Sequence, residues 1–274
     1  MKIEGLYIFD LDGTLYEGTD HFDYYAKRLA LDVKEADQGK FWDDYKRTKN
    51  GEHPLEVGKA YDVKEDAILT VDPMTLTVVQ AHHWDGTEWT LEQIEETYVD
   101  EVAFDFENIV AIGDGWWLPF ACAKHYGVEN CYKRYVETKE YMVTDDFKLA
   151  PIPGLREFLL RLKENTNIVL MTNSDADDVG RLLSELNLEQ VFPRIVTSAK
   201  KPSLTDEHFK AIMAEYKVKP QETVSVGDNF INEIAPALLQ GMRAVYISQH
   251  EHATKHEQLQ QVKRITDWFE GFQF

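Results

Sequence analysis

Two aspartates with one residue between them follow an apolar stretch near the start of the chain. Residues 7–9 are apolar, and Asp10, Asp12, Gly13 and Thr14 lie in the five residues that come next. The apolar run predicts a buried β-strand, and open α/β sheets bind their ligands beyond the carboxyl ends of such strands. Gly13 gives the backbone the freedom to turn there. One carboxylate can then face a substrate as a nucleophile while the other lies beside it.

Three more apolar stretches, near residues 168–171, 194–197 and 223–227, are each followed by polar side chains. We expect each of these polar loops to lie at the carboxyl end of its strand, where open α/β sheets bind their ligands. The polar residues after the three stretches are Thr172 and Asn173, then Lys200 and Lys201, then Asp228 with Asn232 and Glu233.

Residues 153–250 alternate between helical and extended patterns that are joined by short connections. Repeated strand–helix units of this kind predict a parallel sheet with helices on both faces, a Rossmann-like α/β fold. We expect the strand before Asp10 to join this sheet, so that residues 1–15 and 151–274 form one domain; the family resemblance described below implies the same.

Residues 16–150 are expected to form an inserted domain. Helical spacing of apolar residues dominates this segment, and residues 90–93 have the sequence of a capping box. Residues 67–84 instead favour a β-hairpin that turns at Asp72 and Pro73. We therefore expect a mostly α-helical insert with one hairpin.

The four polar loops resemble, in order and context, the motifs of the haloacid dehalogenase-like hydrolases, or HAD hydrolases. The first motif of that family is DxDGT after an apolar strand, and the last is GDxxxxD, where Glu233 replaces the usual second aspartate. The resemblance covers residues 1–15 and about 151–250. It implies that the insert is a C1 cap domain, which in the family covers the site and sets substrate specificity.

The resemblance implies phosphoryl transfer in which Asp10 is the nucleophile and forms an aspartyl-phosphate. Asp12 would protonate the leaving group and then activate the water that cleaves the intermediate. The haloacid dehalogenases proper lack this second aspartate, so its presence indicates phosphate chemistry.

The phosphate itself is expected to be held by the second and third loops. Thr172 would bind its oxygens through the hydroxyl and Asn173 through the backbone N–H. Lys201 would neutralise the transferred group and hold Asp10 in place. Lys200 is the alternative, but the neighbouring proline favours Lys201.

A divalent cation is expected beside the nucleophile. The resemblance implies carboxylate ligands from Asp10 and Asp228 and the backbone carbonyl of Asp12. Ligation by oxygen alone, with waters retained, suits Mg²⁺. Residues expected to support the site are Thr14, Asn232 and Glu233; the longer arm of the glutamate favours a water-mediated contact with the metal.

These expectations describe a Mg²⁺-dependent phosphatase acting on a small phosphorylated metabolite. A phosphomutase would use the same two aspartates, and a non-catalytic protein that binds a phosphorylated ligand is a third possibility. The sequence does not name the substrate, the cap residues that select it or the oligomeric state.

The composition bears on partners and location. The chain has 274 residues with a formal net charge of −20, which disfavours binding to nucleic acid and to anionic membranes. No signal peptide or membrane span is recognised, and the two cysteines, Cys122 and Cys131, are expected to be free buried thiols. We therefore expect a cytoplasmic protein.

Overall fold

The structure is a computed structural model that describes residues 4–144, 146–249, 254–272 and 274. The chain divides into two compact units. The parallel-sheet unit comprises Met1–Gly18 and Lys148–Phe274, and the inserted unit comprises Thr19–Phe147. Among the described residues, no helix combines the length and apolar character that crossing a membrane requires.

The elements are numbered in chain order. The strands are β1 (Leu6–Phe9), β2 (Ala60–Asp62), β3 (Ala67–Val71), β4 (Val78–His83), β5 (Ile109–Ala111), β6 (Asn167–Met171), β7 (Arg194–Val196), β8 (Thr223–Gly227), β9 (Arg243–Ile247) and β10 (Leu259–Val262). The helices are α1 (Asp20–Leu29), α2 (Gln38–Lys49), α3 (Leu91–Thr97), α4 (Trp117–His125), α5 (Cys131–Tyr141), α6 (Leu155–Asn165), α7 (Ala176–Glu185), α8 (Thr205–Tyr216), α9 (Ala235–Leu239) and α10 (Ile265–Phe269). One π-helical turn, Phe230–Ile234, directly precedes α9.

The described strands of the parallel-sheet unit form one sheet in the order β10-β9-β8-β1-β6-β7, with every pair parallel. Strand β1 lies between β6 and β8, with Phe9 opposite Leu170 and Val226. All four residues of β1 are at most 2% exposed. A parallel strand covered on both faces must be apolar throughout, which explains the continuous apolar run in the sequence. The predicted Rossmann-like sheet is confirmed.

The helices α6, α7 and α8 each bury an apolar stripe, as the spacing of their apolar residues predicts. Burying one such side chain contributes roughly 2 kcal/mol, so these stripes fix the helices to the unit's core. The buried apolar residues are Leu155, Phe158, Leu159 and Leu162 in α6, Val179, Leu182 and Leu183 in α7, and Phe209, Ile212 and Met213 in α8. Strand β10 was not predicted, because its sequence, Leu-Gln-Gln-Val, is half polar; it is an edge strand that pairs with β9.

The inserted unit contains an antiparallel sheet in the order β4-β3-β2-β5. The predicted hairpin is confirmed as β3 and β4, with Ala67 opposite His83 and the Asp72 N–H donating to the Thr77 carbonyl at 2.8 Å. Strands β2 and β5 were not predicted, because three residues are too few to show an alternating pattern. Helices still account for more of the unit's residues than strands do: α1 packs on α4 and α5, and α2 packs on α4.

Two smaller predictions about the inserted unit are also confirmed. Thr90 and Gln93 form a capping box at the start of α3, with side chain and backbone bonded in both directions. Cys122 and Cys131 are free and buried, and burial raises the pKa of the Cys131 thiol to about 11. Both thiols therefore remain protonated and unreactive near neutral pH.

Candidate active site

The carboxyl ends of β1, β6 and β8 place three of the predicted polar loops side by side. The Asp10 N–H donates to the Val226 carbonyl at 2.9 Å, which continues the pairing of β1 with β8 by one residue. The Thr172 N–H continues β6 toward β7 in the same way. Asp10, Thr172 and Asp228 consequently lie at one edge of the sheet, as the sequence predicts.

Lys201 forms a buried ion-pair cluster with two carboxylates. Its Nζ donates to Asp10 Oδ1 at 2.8 Å and to Glu233 Oε2 at 2.9 Å. The side chains of Lys201 and Glu233 are each 2% exposed, and that of Asp10 is 9% exposed. Burial by itself lowers the pKa of the Lys201 ammonium, but the two carboxylates outweigh it and hold that pKa above its ordinary value. The lysine is therefore a permanent positive charge beside Asp10.

The loop that carries Lys201 is held by Asn173. The Asn173 amide accepts from the Lys201 N–H at 2.7 Å and donates to the Lys201 carbonyl at 3.1 Å. The Ala199 N–H adds a third bond, to the Thr172 carbonyl at 3.0 Å. The side chain of Asn173 thus positions the lysine loop, whereas Lys200, the alternative considered for the cationic role, is exposed.

Three carboxylates meet at this edge. Ligand-capable oxygens of Asp10, Asp228 and Glu233 all lie within 4.8 Å of one another. Burial, with the Asp10 charge adding to it and Lys201 opposing it, raises the pKa of the Glu233 carboxyl to about 7. Burial also raises the pKa of Asp10, where Lys201 opposes the shift and Asp12 adds to it. Crowded carboxylates of this kind favour a bound cation.

Glu233 has both of its oxygens engaged by the protein. In addition to the Lys201 contact of Oε2, its Oε1 accepts from the Asn229 N–H at 2.8 Å. The π-helical turn at Phe230–Ile234 brings this side chain back over the end of β8. A longer glutamate arm in place of the family's usual aspartate therefore contacts the lysine directly.

The Asp12 carboxylate is surrounded by hydroxyl groups. Tyr16 donates to Asp12 Oδ1 at 2.6 Å, and Ser174 and Thr172 donate to Oδ2 at 3.2 and 3.4 Å. Sequence reasoning singled out Thr172 but did not assign Tyr16 or Ser174 to Asp12. Their only signal in the sequence is that each lies within four residues of a motif and carries a hydroxyl.

The remaining predicted residues, Asn232 and Thr14, lie close in sequence to the cluster and make no side-chain contact with it among the hydrogen bonds of the described residues. The Asn232 N–H donates to Asn229 Oδ1 at 3.0 Å, and its carbonyl accepts from Thr205 at 2.7 Å. The Thr14 hydroxyl is buried and finds no hydrogen-bond partner among the described residues. Asn232 thus stabilises the turn after Asp228.

Two glycines leave room for the acidic side chains. A β-carbon added to Gly13, whose φ is +72°, would lie 2.0 Å from Asp228 Oδ2. A β-carbon on Gly227 would lie 2.3 Å from Glu233 Oε1. Because both distances are far below van der Waals contact, any other residue at these positions would displace the carboxylates.

The comparison with known proteins bears on the family and the fold. The family model described as haloacid dehalogenase-like hydrolase matches residues 5–239. The chain therefore belongs to the haloacid dehalogenase-like hydrolases, and the resemblance of its motifs to that family is confirmed.

The individual relatives share low sequence identity with this chain. A glyceraldehyde 3-phosphate phosphatase of Pyrococcus furiosus is 29% identical over 110 residues, which are 38% of this chain and 45% of the relative. The chain thus matches less than half the length of this curated relative. The HAD-hydrolase YfnB from Bacillus subtilis, solved with bound magnesium, superposes with a TM-score of 0.54 and 13% identity over 98% of each chain. At that identity the similarity shows the fold alone.

Proposed function

We propose that this protein is a Mg²⁺-dependent phosphatase that hydrolyses a small phosphorylated metabolite through an aspartyl-phosphate on Asp10. The observation that carries the proposal is the buried contact of Asp10 with Lys201. Two residues after Asp10 in the sequence, the Asp12 carboxylate is held by hydroxyl groups. A partial relative named as a phosphatase supports the same chemistry.

In the first half-reaction an Asp10 oxygen attacks phosphorus. The new bond joins that oxygen to phosphorus, and the bond from phosphorus to the ester oxygen breaks. Asp12 delivers a proton to the departing oxygen, so an alcohol rather than an alkoxide leaves. Lys201 favours the ionised form of Asp10 and orients it, and its positive charge offsets the charge brought by the phosphate.

In the second half-reaction Asp12 takes a proton from a water molecule. That water attacks phosphorus, the bond between phosphorus and Asp10 breaks, and inorganic phosphate leaves with Asp10 restored as a carboxylate. The Thr172 hydroxyl lies 3.4 Å from Asp12 at the same edge of the sheet, where it would bind a phosphate oxygen. Atoms and charges therefore balance over the two steps without any further co-reactant.

The residues present fit a divalent cation. When Asp10, Asp228 and Glu233 are all ionised, three negative charges face the single positive charge of Lys201, and a divalent cation would balance the difference. Carboxylates of Asp10 and Asp228 and the backbone carbonyl of Asp12 would hold Mg²⁺, an all-oxygen set of the kind this ion prefers. When bound, it would supply positive charge to the phosphate oxygens.

The inserted unit is proposed to select the substrate, in keeping with a cap domain inserted over about residues 16–150. This part of the proposal is tested by substituting exposed residues of the inserted unit, none of which belongs to the acidic cluster. Substitutions that change the ranking of substrates without changing the Mg²⁺ requirement would support it. Unchanged rankings throughout would contradict it.

The main test is phosphate release from a panel of phosphorylated sugars, nucleotides and small acids, with Mg²⁺ and with a chelator. We expect Mg²⁺-dependent release by the wild type, no release by Asp10→Asn, and normal release by Asp206→Asn, an exposed aspartate of the same unit. Poor release combined with bisphosphate-dependent isomerisation would indicate a phosphomutase. Tight binding without turnover would indicate a non-catalytic protein.

A further inference from the structure

Tyr16 and Ser174 bind different oxygens of the Asp12 carboxylate. Tyr16 comes from the turn after β1, and its bond to Oδ1 is 2.6 Å long. Ser174 comes from the loop after β6, and its bond to Oδ2 is 3.2 Å long. Each carboxylate oxygen is therefore bound by a hydroxyl from a different loop, so rotation of the carboxylate would break at least one bond.

The Tyr16 bond is the stronger of the two by geometry. A length of 2.6 Å falls in the range of a hydroxyl donating to a charged oxygen. The Tyr16 side chain is 1% exposed, so its ring is already ordered and little conformational entropy is lost in holding the carboxylate. The hydroxyl can donate or accept, so the contact survives when Asp12 gives up or takes a proton during turnover.

Thr172 cannot fill the same role throughout the reaction. Its bond to Asp12 is the longest of the three, at 3.4 Å, and the proposed function assigns its hydroxyl to a phosphate oxygen. Once phosphate is bound, Tyr16 and Ser174 remain to orient the acid. Both side chains are more than nine-tenths buried, so bulk water does not compete freely for these bonds.

We propose that Tyr16, assisted by Ser174, is the positioning residue that aims Asp12 at the leaving-group oxygen. This inference rests on the proposed phosphatase function, but it concerns two residues that neither the motifs nor the general chemistry assigns. A misaimed Asp12 protonates the departing oxygen poorly, and the consequence depends on the substrate. An ester whose leaving group is a weak base needs little protonation, whereas one whose leaving group is a strong base needs much.

The test compares kcat/KM for phenyl phosphate and for p-nitrophenyl phosphate in the wild type, Tyr16→Phe and Ser174→Ala. The value of kcat/KM depends only on the steps up to and including the first irreversible one, which here is transfer of the phosphoryl group to Asp10. For Tyr16→Phe we expect kcat/KM for phenyl phosphate to fall roughly tenfold to a hundredfold, the effect of losing one hydrogen bond to a charged group. The value for p-nitrophenyl phosphate should fall several-fold less, and Ser174→Ala should show the same pattern more weakly.

Tyr7→Phe is the matched control, since Tyr7 is a fully buried tyrosine of the same unit whose hydroxyl accepts from the Glu4 N–H. It should leave the ratio of the two kcat/KM values unchanged. Equal losses for both esters in Tyr16→Phe and Ser174→Ala, or no loss in either, would overturn the role given to Tyr16 while leaving the phosphatase intact. A wild type that releases phosphate neither from these esters nor from any compound of the metabolite panel would contradict the proposed function itself and the positioning role with it.

Discussion

Gly13 touches Asp228 although the two residues come from opposite ends of the chain. A β-carbon at Gly13 would lie 2.0 Å from Asp228 Oδ2 and 2.6 Å from its Cγ. The positive φ of +72° at Gly13 is the second constraint, because residues with a side chain adopt it only at a cost. The turn that carries Asp12 can therefore pack against the strand end that carries Asp228 only because Gly13 has no side chain.

Replacing Gly13 with alanine should therefore disable the site. We expect Gly13→Ala to lower the free energy of unfolding by roughly 1–3 kcal/mol, since it combines a strained φ with a clash, and to lower phosphatase activity at least about tenfold because Asp228 must move. Urea unfolding and phosphate release measure the two effects. Gly180→Ala is the control: Gly180 lies in α7 with open space around it, so that variant should be as stable as the wild type or more so. Full activity in Gly13→Ala would show that the contact is not required.

Lys201 should matter far more for stability than Lys200 does. Lys201→Met leaves Asp10 and Glu233 buried without their shared cation, and we expect a loss of about 3–5 kcal/mol in the free energy of unfolding. Lys200→Met, at the exposed neighbouring position, should change it by less than about 0.5 kcal/mol. Urea unfolding at pH 7.5 measures the free energy of unfolding of both variants and of the wild type. Equal stabilities for the two variants would contradict the structural role of the buried cluster.

Binding of Mg²⁺ should stabilise the folded protein. At a free Mg²⁺ concentration of 100 times Kd, we expect a gain of about 2.7 kcal/mol, seen as a rise in the thermal unfolding midpoint. Asp228→Asn should lose most of this gain. Without the metal the same variant should be at least as stable as the wild type, because it removes one of three crowded carboxylates. A Mg²⁺-dependent rise as large in Asp228→Asn as in the wild type would place the ion elsewhere.

His53 should make the inserted unit sensitive to acid. Burial lowers the pKa of its imidazole from the ordinary 6.5 to about 4, and its Nδ1 accepts from the Leu55 N–H at 3.0 Å, so the folded form is neutral. The unfolded chain takes up the proton first as the pH falls. Stability is therefore complete above about pH 6.5 and declines between 6.5 and 4, by up to about 3 kcal/mol.

The variant His53→Asn keeps an acceptor near the Nδ1 position and removes the titration. Tryptophan fluorescence during urea unfolding reports mainly on this unit, which holds five of the six tryptophans: Trp42, Trp84, Trp89, Trp116 and Trp117. The stability of His53→Asn should fall less steeply between pH 6.5 and 4 than that of the wild type. Parallel slopes would mean that His53 does not control the acid response.

The sequence predicted most of the parallel sheet because each buried strand shows the same local signal, a run of apolar residues. A strand covered on both faces must be apolar, so β1, β6 and β8 appear as uninterrupted apolar runs. The polar residues that end those runs could likewise be expected at one edge, which follows from the parallel order of the strands. Edge strand β10 and the three-residue strands β2 and β5 lack these signals, because their pairing depends on neighbours distant in sequence.

Contacts between side chains were harder to anticipate. The direct hydrogen bond that Lys201 donates to Glu233 depends on the π-helical turn that carries the glutamate. No residue pattern in the sequence predicts such a turn. The hydroxyls of Tyr16 and Ser174 meet Asp12 only once two loops are placed in space. Sequence identifies which groups can take part in the chemistry, whereas the directions in which side chains point are decided by tertiary packing.

The central position of β1 also has a consequence for synthesis on the ribosome. Leu6–Phe9 is made early, yet both neighbours of this strand, Asn167–Met171 and Thr223–Gly227, are made much later. At roughly 5–20 residues per second, the first neighbour follows after on the order of ten to thirty seconds. During that interval the apolar segment before Asp10 has no parallel partner, because Thr19–Phe147 is translated ahead of both neighbouring strands. The emerging chain must therefore keep its first strand unpaired and out of aggregates until residues 167–171 are made, a task suited to chaperones that bind short apolar segments.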